Sequence, residues 1–136
     1  MPQIVQGFHG TSKNVAEFIA NNGASYFHIS QNEYDWLGDG AYFWENNLKR
    51  AMDWAKKHFK ANAAVKQTAL KHNRDRAVIE YLIEQYRVRG TAIRCVRSSF
   101  NEGKPIFPMS AIYRQAHIQI AVRDTSLITN LRIHTP

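Results

Sequence analysis

Three short stretches hold residue types that could do chemistry. His9-Gly10-Thr11 closes an apolar run near the N-terminus, Gly38-Asp39-Gly40-Ala41-Tyr42-Phe43 sits inside YDWLGDGAYFWEN, and Gln119 stands in HIQIAVRD near the end. A pocket for a flat, positively charged ring needs aromatic faces to sandwich the ring and main-chain amides to read a carboxamide. It also needs glycines, because a Cβ would keep the main chain at a distance. The first two stretches supply all of these. Tyr42 and Phe43 adjoin on a strand and must face opposite ways, one into the core and one into the pocket. Gln119 alternates with Ile118 and Ile120, so if the isoleucines face the core, the glutamine faces the cleft. Asp35 and Trp36 are expected to fix the turn before Gly38, with Trp36 packed in the core.

The elements that must position these residues can be read from periodicity. Ile4 to His9 reads as a buried strand with a close approach at Gly7. HGTSKNVAEFIANNG follows, a helix capped by Thr11 or Ser12, striped by Val15, Phe18 and Ile19, and ended by Gly23. SYFHIS reads as a strand, and Ala41 to Trp44 as another. Asn46 or Asn47 can cap LKRAMDWAKKHF, and the basic segment continues as helix through Asn73. A further amphipathic helix, DRAVIEYLIEQYRV, places Val78, Ile79, Leu82, Ile83 and Tyr86 on one face. The last third is β-like: TAIRCVRS, HIQIAVR and LITNLRI, with the Gly/Pro-marked loop NEGKPIFPMS after the first. The layout is α+β, a single domain over residues 1–136, with helices grouped in the first two-thirds.

HGT at the end of a first strand, LGDGAYF on a second and HIQI on a late one resemble the diphtheria-toxin-like, poly(ADP-ribose) polymerase-like ADP-ribosyltransferases. That superfamily has a His-Tyr-Glu triad, and here the third position falls on Gln119. YDWLGDGAYFWENN with RAMDWA looks like a bacterial toxin-type branch. The likeness spans residues 1–55 and a stretch near the C-terminus; the middle has no motif that can be placed.

The resemblance implies a fold of split antiparallel β-sheets around an NAD cleft with flanking helices. It implies His9, Tyr42 and Gln119 as catalytic residues meeting in one cleft, and NAD as substrate, held by His9, Gly10, Thr11, Gly40 and Tyr42. Trp54, on the following helix, is a candidate for the cleft's far wall on position alone. His9 would bond a ribose hydroxyl, Gly10 the carboxamide, and Tyr42 would pack on the nicotinamide. Gln119 can orient the sugar but cannot supply charge, so polymer formation is not expected. Glu102 is the nearest carboxylate in sequence that could act as base. In the wider superfamily the loop before the last motif presents the acceptor, which makes Glu102, Lys104, Tyr113 and Arg114 the acceptor-binding candidates. Each motif residue also has a plain structural alternative: a core histidine, a core tyrosine, a polar strand residue.

Composition bounds the setting. The chain has 136 residues and one cysteine, Cys95, so no intrachain disulfide can form, and no spacing suggests a metal site. No apolar run approaches the roughly 20 residues that cross a bilayer, and MPQIVQGFHG lacks a signal-peptide layout, so a cytoplasmic protein is expected. The formal charge is +7, and Lys49 to Arg76 alone has nine Lys/Arg against two Asp/Glu. Lys49, Arg50, Lys56, Lys57 and Lys60 form a candidate nucleic-acid patch, or else a solvated helical face. The expected activity is mono-ADP-ribosylation of a macromolecule, RNA or DNA ahead of protein, in a toxin or phage-defence setting with a possible antitoxin. The alternatives are a non-catalytic basic nucleic-acid-binding domain and an NAD glycohydrolase.

Overall fold

The computed structural model describes residues 4–32, 35–60, 66–100, 104, 106–109 and 116–134. In chain order the elements are β1 (Gly7–Phe8), α1 (Lys13–Asn22), a 3-10 turn (Ala24–Tyr26), β2 (Ala41–Glu45), α2 (Leu48–Lys60), α3 (Lys66–Val88), β3 (Cys95–Phe100), β4 (His117–Val122) and a second 3-10 turn (Thr125–Leu127). The strands form one four-stranded sheet in the order β1-β2-β4-β3, antiparallel throughout. The architecture is α+β.

β2 and β4 lie in the middle, and their sequences explain why. AYFWE and HIQIAV are apolar at successive rather than alternate positions, as suits strands covered on both faces. One face of the sheet buries Ala41, Phe43, Ile120 and Val122 against Phe27, Ile29 and Ile128. The other buries Trp36, Leu37 and Ala121 with Tyr42, Val96 and Phe100. β3 alternates exposed and half-buried residues, the pattern of an edge strand, and begins with the exposed Cys95.

Helix ends follow local chemistry. Ser12 Oγ accepts from Val15 N at 3.3 Å, and Gly23, at φ 110°, closes α1 by donating to Ile19 O. Asn47 Oδ1 accepts from Arg50 N at 3.1 Å at the start of α2. Past α3, Gly90 at φ 91° donates to Arg87 O and Thr91 N to Tyr86 O, a Schellman closure.

Four expectations are corrected. The first strand is two residues long, and Ile4 is 91% exposed. Its partner runs out: Asn46 donates to Gln6 O and then turns away at φ 50°. SYFHIS forms the first 3-10 turn and then a single bridge, Ser30 to Gly40. LITNLRI forms no strand, because β4 is already flanked by β2 and β3 and the chain leaves it through a turn capped by Asp124. The end of the basic segment, Lys66 to Asn73, belongs to the same helix as the amphipathic segment, α3, and Val78, Leu82 and Tyr86 on its apolar face stay about half exposed.

An ion pair between a buried carboxylate and a half-exposed guanidinium ties the sheet across β4. The Glu45 side chain is 5% exposed, and Arg97 Nε and Nη2 reach its two oxygens at 3.0 and 2.6 Å. Removing the guanidinium would strand a buried carboxylate, whereas Lys49 and Asp53 form an exposed pair. Arg97→Ala should therefore lower the urea unfolding midpoint measurably, whereas Lys49→Ala should leave it nearly unchanged.

Candidate active site

The turn before β2 is fixed from inside. The Asp35 carboxylate accepts from Ser30 Oγ at 2.5 Å and from Asn32 N at 2.6 Å, and Trp36 and Leu37 bury behind it. Gly38 then takes φ 80°. Asp39 is held at both ends: its N–H donates to Glu80 Oε1 at 2.7 Å and its carboxylate pairs with Arg76 Nη2 at 2.5 Å. Arg123, just beyond β4, donates to Glu80 at 2.9 Å and to Asp39 O at 3.2 Å. Glu80 and Arg123 were not singled out from the sequence. They lie 41 and 84 positions from Asp39, and nothing local marks such a pairing.

Tyr42 and Phe43 do face opposite ways, Phe43 among the aliphatic core residues and Tyr42 beside Trp36 and Leu37. The Tyr42 hydroxyl donates to Gly38 O at 2.6 Å and accepts from Leu37 N at 2.9 Å. Burial raises its pKa well above the usual 10, outweighing the Leu37 amide, so the group is a neutral phenol rather than a base. Gln119 points away from the buried Ile120 and stands opposite Trp44 in the ladder, but it is buried rather than open to a cleft. Its Oε1 accepts a hydrogen bond from Trp36 Nε1. Trp36 in turn stacks on Phe100, centroids 3.7 Å apart and planes within 4°. Tyr42 and Gln119 thus share one face of the sheet, with Trp36 packed across it.

His9 does not join them. Its ring packs on Phe27 and Phe43, centroids 5.1 and 5.5 Å away, and so lies on the other face. The register dictates this: Phe8 pairs with Trp44, so the next residue falls beside Phe43. The expectation of three side chains in one cleft is corrected accordingly. His9 meets Tyr42 only at its main chain, where Nδ1 lies 2.7 Å from Tyr42 O. A carbonyl only accepts, so Nδ1 bears the proton. Burial lowers the His9 pKa below 6.5, partly opposed by this bond and aided by His28, so the ring is neutral at pH 7.

The glycines are explained by protein packing. A Cβ on Gly10 would stand 2.5 Å from Ala51 O and 3.0 Å from Trp54 Cδ1 on α2. One on Gly40 would meet the Ala121 main chain at 3.1 Å, and one on Gly38 the Glu80 carboxylate at 2.5 Å. The close approaches foreseen for a dinucleotide are made by α2, β4 and α3. Thr11 lies just before the Ser12 cap of α1, half-buried. Trp54 does border Gly10 and lies 5.6 Å from Trp44, but it is 40% exposed.

Of the acceptor candidates, Lys104 is exposed, while Glu102, Tyr113 and Arg114 lie outside the described residues. In the basic patch, Lys49, Lys56 and Lys57 are exposed and Arg50 sits over the Trp44 ring at 5.9 Å; the Lys60 side chain lies outside the described residues. A separate hollow of about 370 Å³ opens at the end of β2, β3 and β4, lined in part by Glu45, Asn47, Phe100 and His117. Among the described residues no cluster of His, Cys, Asp or Glu could hold a metal ion, and no helix is long and apolar enough to cross a membrane. No protein-family model matches the chain, and no curated protein or solved structure matches it.

Two outcomes follow from this packing. Gly10→Ala should destabilise the fold by about 1–3 kcal/mol in urea unfolding, because a carbonyl of α2 must shift. His9 has a lowered pKa when folded, so its contribution is full above pH 6.5 and is lost as pH falls towards the folded value. Unfolding free energy measured from pH 7.5 to 5 should fall, and His9→Gln, which keeps a donor but does not titrate, should flatten that slope.

Proposed function

We propose that the protein is an NAD-dependent mono-ADP-ribosyltransferase that modifies nucleic acid. The observation supporting this reading is topological. HGT, GDGAYF and HIQI, far apart in sequence, lie just after β1, leading into β2 and on β4, three neighbouring strands in that order. On this reading the sheet is one half of the split pair around an NAD cleft.

The roles fit the chain's own geometry as follows. Tyr42, a neutral phenol with its hydroxyl tied to the turn, offers a ring face to the nicotinamide, a contact of about 0.5–1.5 kcal/mol beyond burial. Gln119 accepts the hydrogen bond of a ribose hydroxyl, which requires NAD to displace the Trp36 indole from Oε1. His9 serves as a positioning residue, clamping β2 through the Tyr42 carbonyl. The acceptor oxygen or nitrogen attacks C1′ of the ribose as the bond to nicotinamide breaks. Nicotinamide leaves neutral with the electron pair, and the acceptor gives up its proton. The setting would be that of a toxin or phage-defence effector, held in check by a partner such as an antitoxin.

One specific observation favours a second reading, a non-catalytic nucleic-acid-binding domain. The Tyr42 hydroxyl, Gln119 Oε1 and the close approaches at Gly10, Gly38 and Gly40 are all met by protein. Incubation with labelled NAD and cell lysate, followed by separate nuclease and protease digestion, distinguishes the two. Transferase action predicts label that nuclease removes, reduced on the order of a hundredfold in Tyr42→Ala and Gln119→Ala proteins that still unfold cooperatively. Label removed by protease would move the acceptor to protein, and free ADP-ribose without transfer would make the protein a glycohydrolase. No turnover and no NAD-dependent thermal shift would leave the binding domain.

A further inference from the structure

We infer that the exposed flank of α2 beside Trp54 docks single-stranded nucleic acid, with the Trp54–His58 pair as a stacking platform for a base. Trp54 is a large aromatic left 40% exposed, yet it is not loose. Its ring stacks on His58 at 3.5 Å and 23°, His58 Nδ1 is held 3.0 Å from Trp54 O, and Trp44 lies against it at 5.6 Å. An indole held by two neighbours meets solvent in one orientation, ready to receive a further ring.

Two cations flank it on one side. At 3.6 residues per turn, Arg50 and Lys57 fall within about 60° of Trp54 around the helix axis, whereas Lys49 and Lys56 lie roughly 140–160° away, near the far face. Ala51, on the other flank, is buried against Gly10. Lys49 is matched by Asp53, but Lys56 and Lys57 are exposed with no ion-pair partner among the described residues. A backbone lying along Arg50 and Lys57 would bring a base over the exposed Trp54. A duplex hides base faces in its own stack, whereas a single strand offers them, so the single strand is the occupant that fits.

This surface assigns Trp54 to the polymer rather than to NAD. It rests on the transferase reading only for the statement that the bound strand is the acceptor, and binding is measured without NAD, so the two can fail separately. The probe is a fluorescent, mixed-sequence RNA of about 20 nucleotides, longer than a typical stacking site, compared by anisotropy with its own duplex. The single strand should bind more tightly, quench tryptophan emission and lose affinity steeply between about 50 and 200 mM salt. Trp54→Ala should weaken single-strand binding roughly 5- to 150-fold with little effect on the duplex, and Trp54→Phe should restore most of it. His58→Ala, which removes the half-buried support of the indole, should weaken it in the same sense, and cooperative unfolding of both variants guards against a folding defect. Equal binding of strand and duplex would overturn the inference. So would wild-type affinity in both Trp54→Ala and His58→Ala, or no binding at the lower salt concentration.

Discussion

The pairing of β2 with β4 is the constraint on which the rest of the molecule depends. Both strands are covered on both faces, and Ala41 and Ala121 are fully buried. The strands close tightly at this end, where the Ala121 main chain passes within 3.1 Å of the place a Cβ on Gly40 would take. Once they close, the register places Gln119 opposite Trp44 and Tyr42 opposite Ala121, so the candidate residues are set by the ladder before any side chain chooses a rotamer. It also sets His9 apart from them, since the two-residue β1 adds to the outer edge of β2 in fixed phase.

A polar network then locks the turn that precedes β2 to the rest of the chain. Asp39, Arg76, Glu80 and Arg123 come from the turn, both ends of one stretch of α3, and the exit of β4. Their side chains are partly exposed, so each pair by itself contributes little. Their joint effect is geometric: a helix that makes few other contacts with the sheet is registered against it, and the left-handed Gly38 is held where only glycine fits. Opposite charges also absorb Arg76, the last cation of the basic stretch.

Much of this was legible in the sequence where the cause is local. Ser12 and Gly23 bound α1 because a hydroxyl and a left-handed glycine satisfy helix ends wherever they occur. The opposed directions of Tyr42 and Phe43, the inward Trp36 and the orientation of Gln119 follow from strand alternation and bulk. The shortness of β1, the absence of a strand after Leu127 and the unbroken α3 depended on which edges were already occupied, and no window of sequence holds that. The glycines are the instructive case. Their spacing did announce close approach of main chain to something; that the something is α2, α3 and β4 could be read only from the tertiary structure. The same holds for Gln119, whose partner Trp36 lies 83 positions away.

The exposed Cys95 opens a practical route. It is the only thiol in the chain and begins the outermost strand, paired with Val122. Its side chain therefore belongs to the Phe43 side of the sheet, away from Tyr42 and Gln119. A maleimide dye will attach at one known point without any engineered substitution, and it will not crowd the Trp36 face. The native polypeptide thus arrives with its own spectroscopic handle, positioned to watch ligand-driven motion from the reverse side.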